Sequence, residues 1–164
     1  MTTALVLVDL MPRLLDLPVA PHTGADVLDR SLRLAEAFRT TGRPVVLIRV
    51  DRPNVAEQPP GSGFAEGLVR PGDVTVVKRS IGAFATTDLD ARLKELGATT
   101  LVFGGLMTTM GVESTARVAA DLDYELVFVE DAMAAPTAEE HDVAVRVILP
   151  RFGEVVTSAD YLQP

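Results

Sequence analysis

A chain of 164 residues that is 48% hydrophobic and 23% charged is long enough to bury one core without disulfides or structural metals. Its 23 acidic and 15 basic side chains leave a net charge of -8, so the mean field repels phosphate polymers and argues against nucleic acid as a partner. The complete absence of cysteine excludes disulfides, thiolate metal sites and cysteine nucleophiles, and two histidines, His22 and His141, are too few for a histidine-rich zinc centre.

The first apolar run, ALVLVD at 4–9, is continuous rather than alternating, as expected of a strand buried on both faces, and it ends in Asp9. The run is too short for a signal-peptide core, and no segment approaches the roughly 20 apolar residues that cross a bilayer, so a cytoplasmic protein without a membrane partner is expected. After a Pro-rich turn, Val27, Leu28, Leu32, Leu34, Ala35 and Phe38 recur at near-helical spacing, with Gly42 placed to stop the helix. PVVLIRV at 44–50 predicts the second strand. The segment from Asp51 to Asp73 is rich in Pro and Gly and lacks sustained periodicity, and loops of that length in a compact domain are usually functional or mobile.

VTVVKR at 74–79 predicts the third strand, followed by a short helix capped by Thr87 or Asp88 and closed by Gly97. TTLVFGG at 99–105 is the fourth strand, GVESTARVAADLD the next helix, and ELVFVEDA at 125–132 the fifth strand. TAEEHDVAVRVILPRF opens with a capping box, Thr137 with Glu140, and leads to a last strand, EVVTS. Strands alternating with helices imply an α/β fold: a three-layer, doubly wound sheet of about six mostly parallel strands with helices on both faces, in one domain spanning the chain.

Ligands of open parallel sheets bind beyond the carboxyl ends of the strands. Three features fall there: Asp9, Lys78, and the turn from Gly104 to Gly111. The chain has only one other lysine, Lys94, and a lysine at the tail of a buried strand needs a carboxylate or loses its charge. Asp9 is the expected partner, and a structural ion pair and a catalytic pair are both consistent with the placement. The turn GGLMTTMG presents backbone N–H groups at a helix start, suited to a carboxylate or a developing oxyanion, although it is also an ordinary Gly-rich connection. Its glycine spacing matches neither a dinucleotide fingerprint nor a P-loop, so no nucleotide cofactor is expected.

Taken in order, VLVDLM, VVKRSIGAFATTDLDARLKELGATTLVFGG, GLMTTMGVESTA and DLDYELVFVEDAMAA resemble the isochorismatase-like hydrolase superfamily over nearly the whole chain. The resemblance implies a Rossmann-like fold and puts Asp9 and Lys78 on two members of an Asp-Lys-Cys triad, with Gly111 at the place of the cysteine. A thiolate mechanism is therefore closed to this chain. The relevant branch is the isochorismatases proper, which lack the cysteine and hydrolyse a vinyl ether without a covalent intermediate. Asp9 would be the general acid and Lys78 would orient it and meet a substrate carboxylate. Burial would raise the Asp9 pKa and the lysine would lower it.

The resemblance further implies a cis peptide near Leu106–Met107. That bond would aim the N–H groups of Met107 and Gly111 into a pocket, and Thr108 and Met110 belong to the same substrate-binding turn. Met11 stands where the family has Gln or Asn, and Met107 where isochorismatases carry Tyr, so a smaller or more apolar substrate is expected. Thr108 and Thr109 lack a dedicated base and are not read as nucleophiles. Gln58 and Arg79 are candidate polar contacts, Asp51 stands without the histidines of a metal site, and Glu113 and His141 read as structural. No metal or cofactor is expected, and a homo-oligomer, dimer or higher, is implied by the family. The competing reading is a non-catalytic relative that kept the pocket as a small-molecule binder or oligomeric scaffold.

Overall fold

The computed structural model describes residues 1–162. Its six strands are β1 (Thr2–Val8), β2 (Val45–Val50), β3 (Val74–Lys78), β4 (Ala98–Leu106), β5 (Glu125–Ala134) and β6 (Gly153–Val156). They form one sheet in the order β3-β2-β1-β4-β5-β6, with every neighbouring pair parallel. The sheet reverses its direction of growth between β1 and β4, which opens a crevice at their carboxyl ends. Asp9 follows β1 and the Gly-rich turn follows β4, so the topology brings both to that crevice.

The continuous apolar runs are explained by burial on both faces. Ala4, Val6 and Val8 point to one layer, where Leu89 and Leu93 of α3 (Leu89–Glu95) and Ala116 of α4 (Glu113–Asp121) cover them. Val145 and Leu149, from the segment after α5 (Ala138–Val143), complete that layer. Leu5 and Leu7 point to the other layer, against Val27, Leu34 and Phe38 of α2 (Gly24–Thr40). Leu14 of α1 (Pro12–Leu15) and Leu162 of α6 (Ala159–Leu162) pack at its edge.

Helix α2 starts where Thr23 and Asp26 exchange reciprocal capping bonds, each 3.1 Å from its backbone N–H, and Gly42, at φ +68°, follows its end. Parallel strands cannot be joined by a hairpin, and the crossover from β2 to β3 is made by the irregular 51–73 segment instead of a helix. Pro53, Pro59, Pro60, Gly61 and Gly63 disfavour a helix there, yet Ala65 and Leu68 from the same segment are buried in the α2-side core.

Two expected helices differ in detail. The helix after β4 opens as a π-helical turn, Thr108–Val112, before α4 begins at Glu113. The expected helix over 137–152 breaks after α5 into a wide turn at Ala144–Ile148 and a tight one at Leu149–Arg151. Pro150 accounts for the break, since it has no N–H to continue the helical ladder. Thr137 caps α5 by accepting from the Glu140 N–H at 3.2 Å, the first half of the expected capping box. At α3 the capping oxygen belongs to Thr87, which accepts from the Leu89 N–H at 3.1 Å, whereas the Asp88 side chain makes no capping bond. The Pro-rich turn after Asp9 contains the short helix α1, initiated by Pro12 in its first turn.

Candidate active site

Asp9 terminates β1 with a left-handed backbone, φ 54°, a conformation that Asp tolerates better than most residues. Its N–H still donates to the Ile48 carbonyl at 2.8 Å, so the residue is anchored as the strand ends. Lys78 ends β3, two strands away, and its long stem crosses the end of β2 to reach the carboxylate. Nζ lies 2.8 Å from Asp9 Oδ2 and donates to the Ile81 carbonyl at 2.6 Å. Asp9 is 5% exposed and Lys78 1%, so the pair is screened little by water.

Burial raises the Asp9 pKa above its ordinary value of 3.8, while the charge and hydrogen bond of Lys78 and the charge of Arg13 pull against it. Burial prevails in the balance that the sequence left open. Asp9 Oδ1 is buried without a hydrogen-bond partner, leaving one carboxyl oxygen uncommitted.

A cavity of about 380 Å³ opens at this strand end, lined by Asp9, Lys78 and Gly111 together with Arg79, Met110 and Ile81 among others. Val50 and Pro53, from the end of β2 and the loop after it, close another wall. Among the residues expected in the site, Asp9, Lys78, Met110 and Gly111 therefore meet around one space. The Met107 side chain packs into the α2-side core, and Thr108 is fully buried, its hydroxyl 2.8 Å from His141 Nδ1. The Leu106–Met107 peptide is cis, as the resemblance implied.

Gly111 stands hard against the acid. A Cβ built on it would lie 2.9 Å from Asp9 Oδ2, 3.0 Å from the Leu106 carbonyl oxygen and 3.0 Å from Val8 Cγ1. The turn is held by Thr115, which sequence reasoning missed. Its buried hydroxyl donates to the Gly111 carbonyl at 2.6 Å and accepts from the Ala83 N–H at 3.1 Å, tying the loop after β3 to the loop after β4. The only sequence signal for this role is a Thr one helical turn after the glycine.

The remaining polar candidates have other occupations. Gln58 is bound to the N–H and carbonyl of Arg52, and Asp51 pairs with Arg49. Glu113 pairs with Arg117 at 2.8 Å. His22 packs edge-on against His141, ring centroids 6.1 Å apart. Burial, reinforced by the neighbouring His22, lowers the His141 pKa to about 4, so the ring that holds Thr108 is neutral. Among the described residues no three His, Asp or Glu side chains gather as a metal-holding set, and no helix is long and apolar enough to cross a membrane.

The fold agrees with comparisons to known proteins. The chain belongs to the isochorismatase family, whose isochorismatase domain matches residues 3–160. It is 37% identical to the isochorismatase family protein YecD of Escherichia coli O157:H7 over 94% of this chain and 91% of that protein. An isochorismatase family protein from Burkholderia thailandensis superposes with a TM-score of 0.91 at 37% identity, covering 99% of this chain and 96% of the other. Streptothricin hydrolase of Streptomyces noursei is 35% identical over 80% of this chain and 49% of its own length. The chain thus belongs to a family of hydrolases, and the chain itself contains no cysteine.

Proposed function

We propose that this isochorismatase-family hydrolase acts without a covalent enzyme intermediate on a small enol-ether-type or similarly acid-labile molecule, with Asp9 as general acid. The observation that carries the reading is a carboxyl group lining the cavity with its pKa raised by burial, one oxygen held by Lys78 and the other without a hydrogen-bond partner. In the protonated state Asp9 gives its proton to the terminal carbon of the enol ether, whose π electrons form the new C–H bond. The ether carbon becomes an oxocarbenium ion, and water adds to it. The proton lost by that water returns to the Asp9 carboxylate, and the resulting hemiketal separates into a carbonyl compound and an alcohol. Lys78 stabilises the carboxylate that exists between the two transfers.

Glycine at position 111 suits this chemistry, because it lets the carboxyl approach the turn where a side chain would keep it away. Backbone groups of the Met107 to Gly111 turn would receive negative charge on the substrate. The same reading takes the protein as a homo-oligomer, supported by exposed Val118 on α4 and Leu122 just after it, and by exposed Val143 and Val147 one helical turn apart. Sedimentation velocity tests that part, and a monomer at micromolar concentration would overturn it. The catalytic part is tested by pyruvate release from isochorismate, followed with a coupled dehydrogenase in the parent and Asp9→Asn proteins. Release that disappears in Asp9→Asn supports the general acid. Equal background in both proteins overturns the assignment in favour of a non-catalytic small-molecule binder.

A further inference from the structure

Two large apolar side chains stand in the wall of the cavity and yet face water, Ile81 at 54% exposure and Met110 at 47%. The turn that carries Met110 borders a second hollow, a groove of about 490 Å³ between that turn and α5. Thr109 lines the groove from the turn, and Val143, Ala144 and Ile148 give it an apolar wall, with Val143 itself 48% exposed. Cavity and groove adjoin, because Met110 lines one and its neighbour Thr109 the other. Exposed apolar side chains gathered around two adjoining hollows mark a contact surface, whereas single ones would not.

Charge identifies what covers it. The groove also carries Glu139 and Glu140, which make no salt bridge among the described residues, while its third carboxylate, Glu113, is taken by Arg117. On the cavity side the exposed Arg79 makes no salt bridge either. One surface thus bears unanswered acids in an apolar groove and, across a single turn, an unanswered arginine two residues from an exposed isoleucine. A two-fold axis brings each patch of such a surface onto the opposite patch of a second copy, and the reciprocal contact forms at the same time. With the axis beside Met110, Arg79 of one protomer faces Glu139 and Glu140 of the other, and Ile81 faces Val143. Two chains of net charge -8 repel each other on average, so a contact built on two local attractions offsets that field where the surfaces meet.

We propose that a second copy of this chain docks here, the Arg79–Ile81 segment of each protomer seated in the groove of the other. The inference rests on the homo-oligomeric part of the reading above and adds the surface, the pairing and a consequence for the site. Arg79, Ser80 and Ile81 are themselves a wall of the cavity, and the Ile81 carbonyl accepts from Lys78 Nζ at 2.6 Å. From its other end the segment is tied to α4 by the Ala83 N–H, which donates to the Thr115 hydroxyl at 3.1 Å. Seating it on a partner fixes the cavity wall and the carbonyl that holds the lysine beside Asp9. Each site is then completed by the neighbouring protomer.

Charge reversal tests the pairing without touching the core, since Arg79 and Glu139 are both exposed. In sedimentation velocity at low salt the parent should self-associate, and Arg79→Glu and Glu139→Arg should each weaken association about tenfold or more, because like charges then meet at both contacts. Mixed in equal amounts the two variants should associate again, since every contact between unlike variants joins opposite charges. Hydrogen exchange of residues 79–83 should be slower in the associated parent than in parent diluted below its dissociation range. A parent that associates but is indifferent to both reversals, variants that fail to recover on mixing, or exchange at 79–83 unchanged by association would overturn the inference and leave the homo-oligomer standing. A monomeric parent would overturn both, leaving the groove to a different protein. The proposed chemistry is decided separately, by turnover in the parent and Asp9→Asn proteins.

Discussion

Replacing Lys78 by Met keeps the hydrocarbon stem and removes the ammonium that closes the site. The parent pair is almost wholly buried, 2.8 Å apart, and breaking a buried pair by deleting one partner costs about 3–5 kcal/mol. About 1 kcal/mol of that belongs to the bond to the Ile81 carbonyl and does not depend on pH. The remainder arises from Asp9, whose pKa is already raised by burial and loses its largest opposing influence in the variant. A carboxyl with a raised folded pKa binds more protons folded than unfolded. Its favourable contribution is complete below the unfolded value of 3.8 and is lost as pH rises through the folded value. The deficit of Lys78→Met should therefore be about 1 kcal/mol near pH 4 and about 3–5 kcal/mol near pH 7.5. For a chain of this size the larger figure is a Tm loss of about 6–20 °C. Thermal unfolding followed by far-UV circular dichroism at both pH values measures it. His141 is common to both proteins, so its titration cancels from the difference. Equal deficits at the two pH values would refute the assignment of the cost to an ionised, uncompensated Asp9.

Gly111→Ala should gain up to about 1 kcal/mol in helical propensity, lose more through overpacking, and displace the Asp9 carboxyl from Lys78. A net loss of about 1–2 kcal/mol in urea unfolding, with reduced turnover, is the expected result, and a fully active, stabilised variant would contradict the close contact seen at that residue. Thr115→Val keeps the shape but leaves the Ala83 N–H and Gly111 carbonyl buried without their partner, which should cost about 2 kcal/mol in the same assay. His141 is held neutral in the folded state with its pKa lowered from 6.5 to about 4, so the unfolded chain binds more protons between those values. Stability should rise by about 3 kcal/mol from pH 4 to above pH 6.5 on this account, and denaturant titrations of His141→Phe across the window should lack that component.

The sheet was legible in the sequence because strands buried on both faces write themselves as unbroken apolar runs, and ALVLVD, VVLIRV and TTLVFGG did so. The Asp9 and Lys78 pair was legible for a related reason: a scarce lysine ending such a run has few ways to keep its charge, and a carboxylate at the end of another run offers one. What could not be read depended on contacts distant in sequence. Thr108 meets His141 across 33 positions, and neither residue announces the other. Thr115 looks like any helix residue until the Ala83 N–H is brought to it. The long 51–73 segment was recognisable as irregular, but its use as the crossover between β2 and β3 depends on the strand order.

The glycine at 111 is better understood through Asp9 than as a missing side chain. With a Cβ contact of 2.9 Å to Oδ2, the acid occupies the approach that a side chain at 111 would need. Position 111 and the acid are therefore coupled: a residue there must push the carboxyl toward the cavity or away from Lys78, and either shift changes the burial that raises its pKa. Removing the side chain does not merely subtract a nucleophile. It allows a carboxyl group to sit deep against the turn, poorly solvated and with one oxygen unpartnered, which raises its pKa. On the reading proposed above, such an environment suits a reaction begun by proton donation from Asp9.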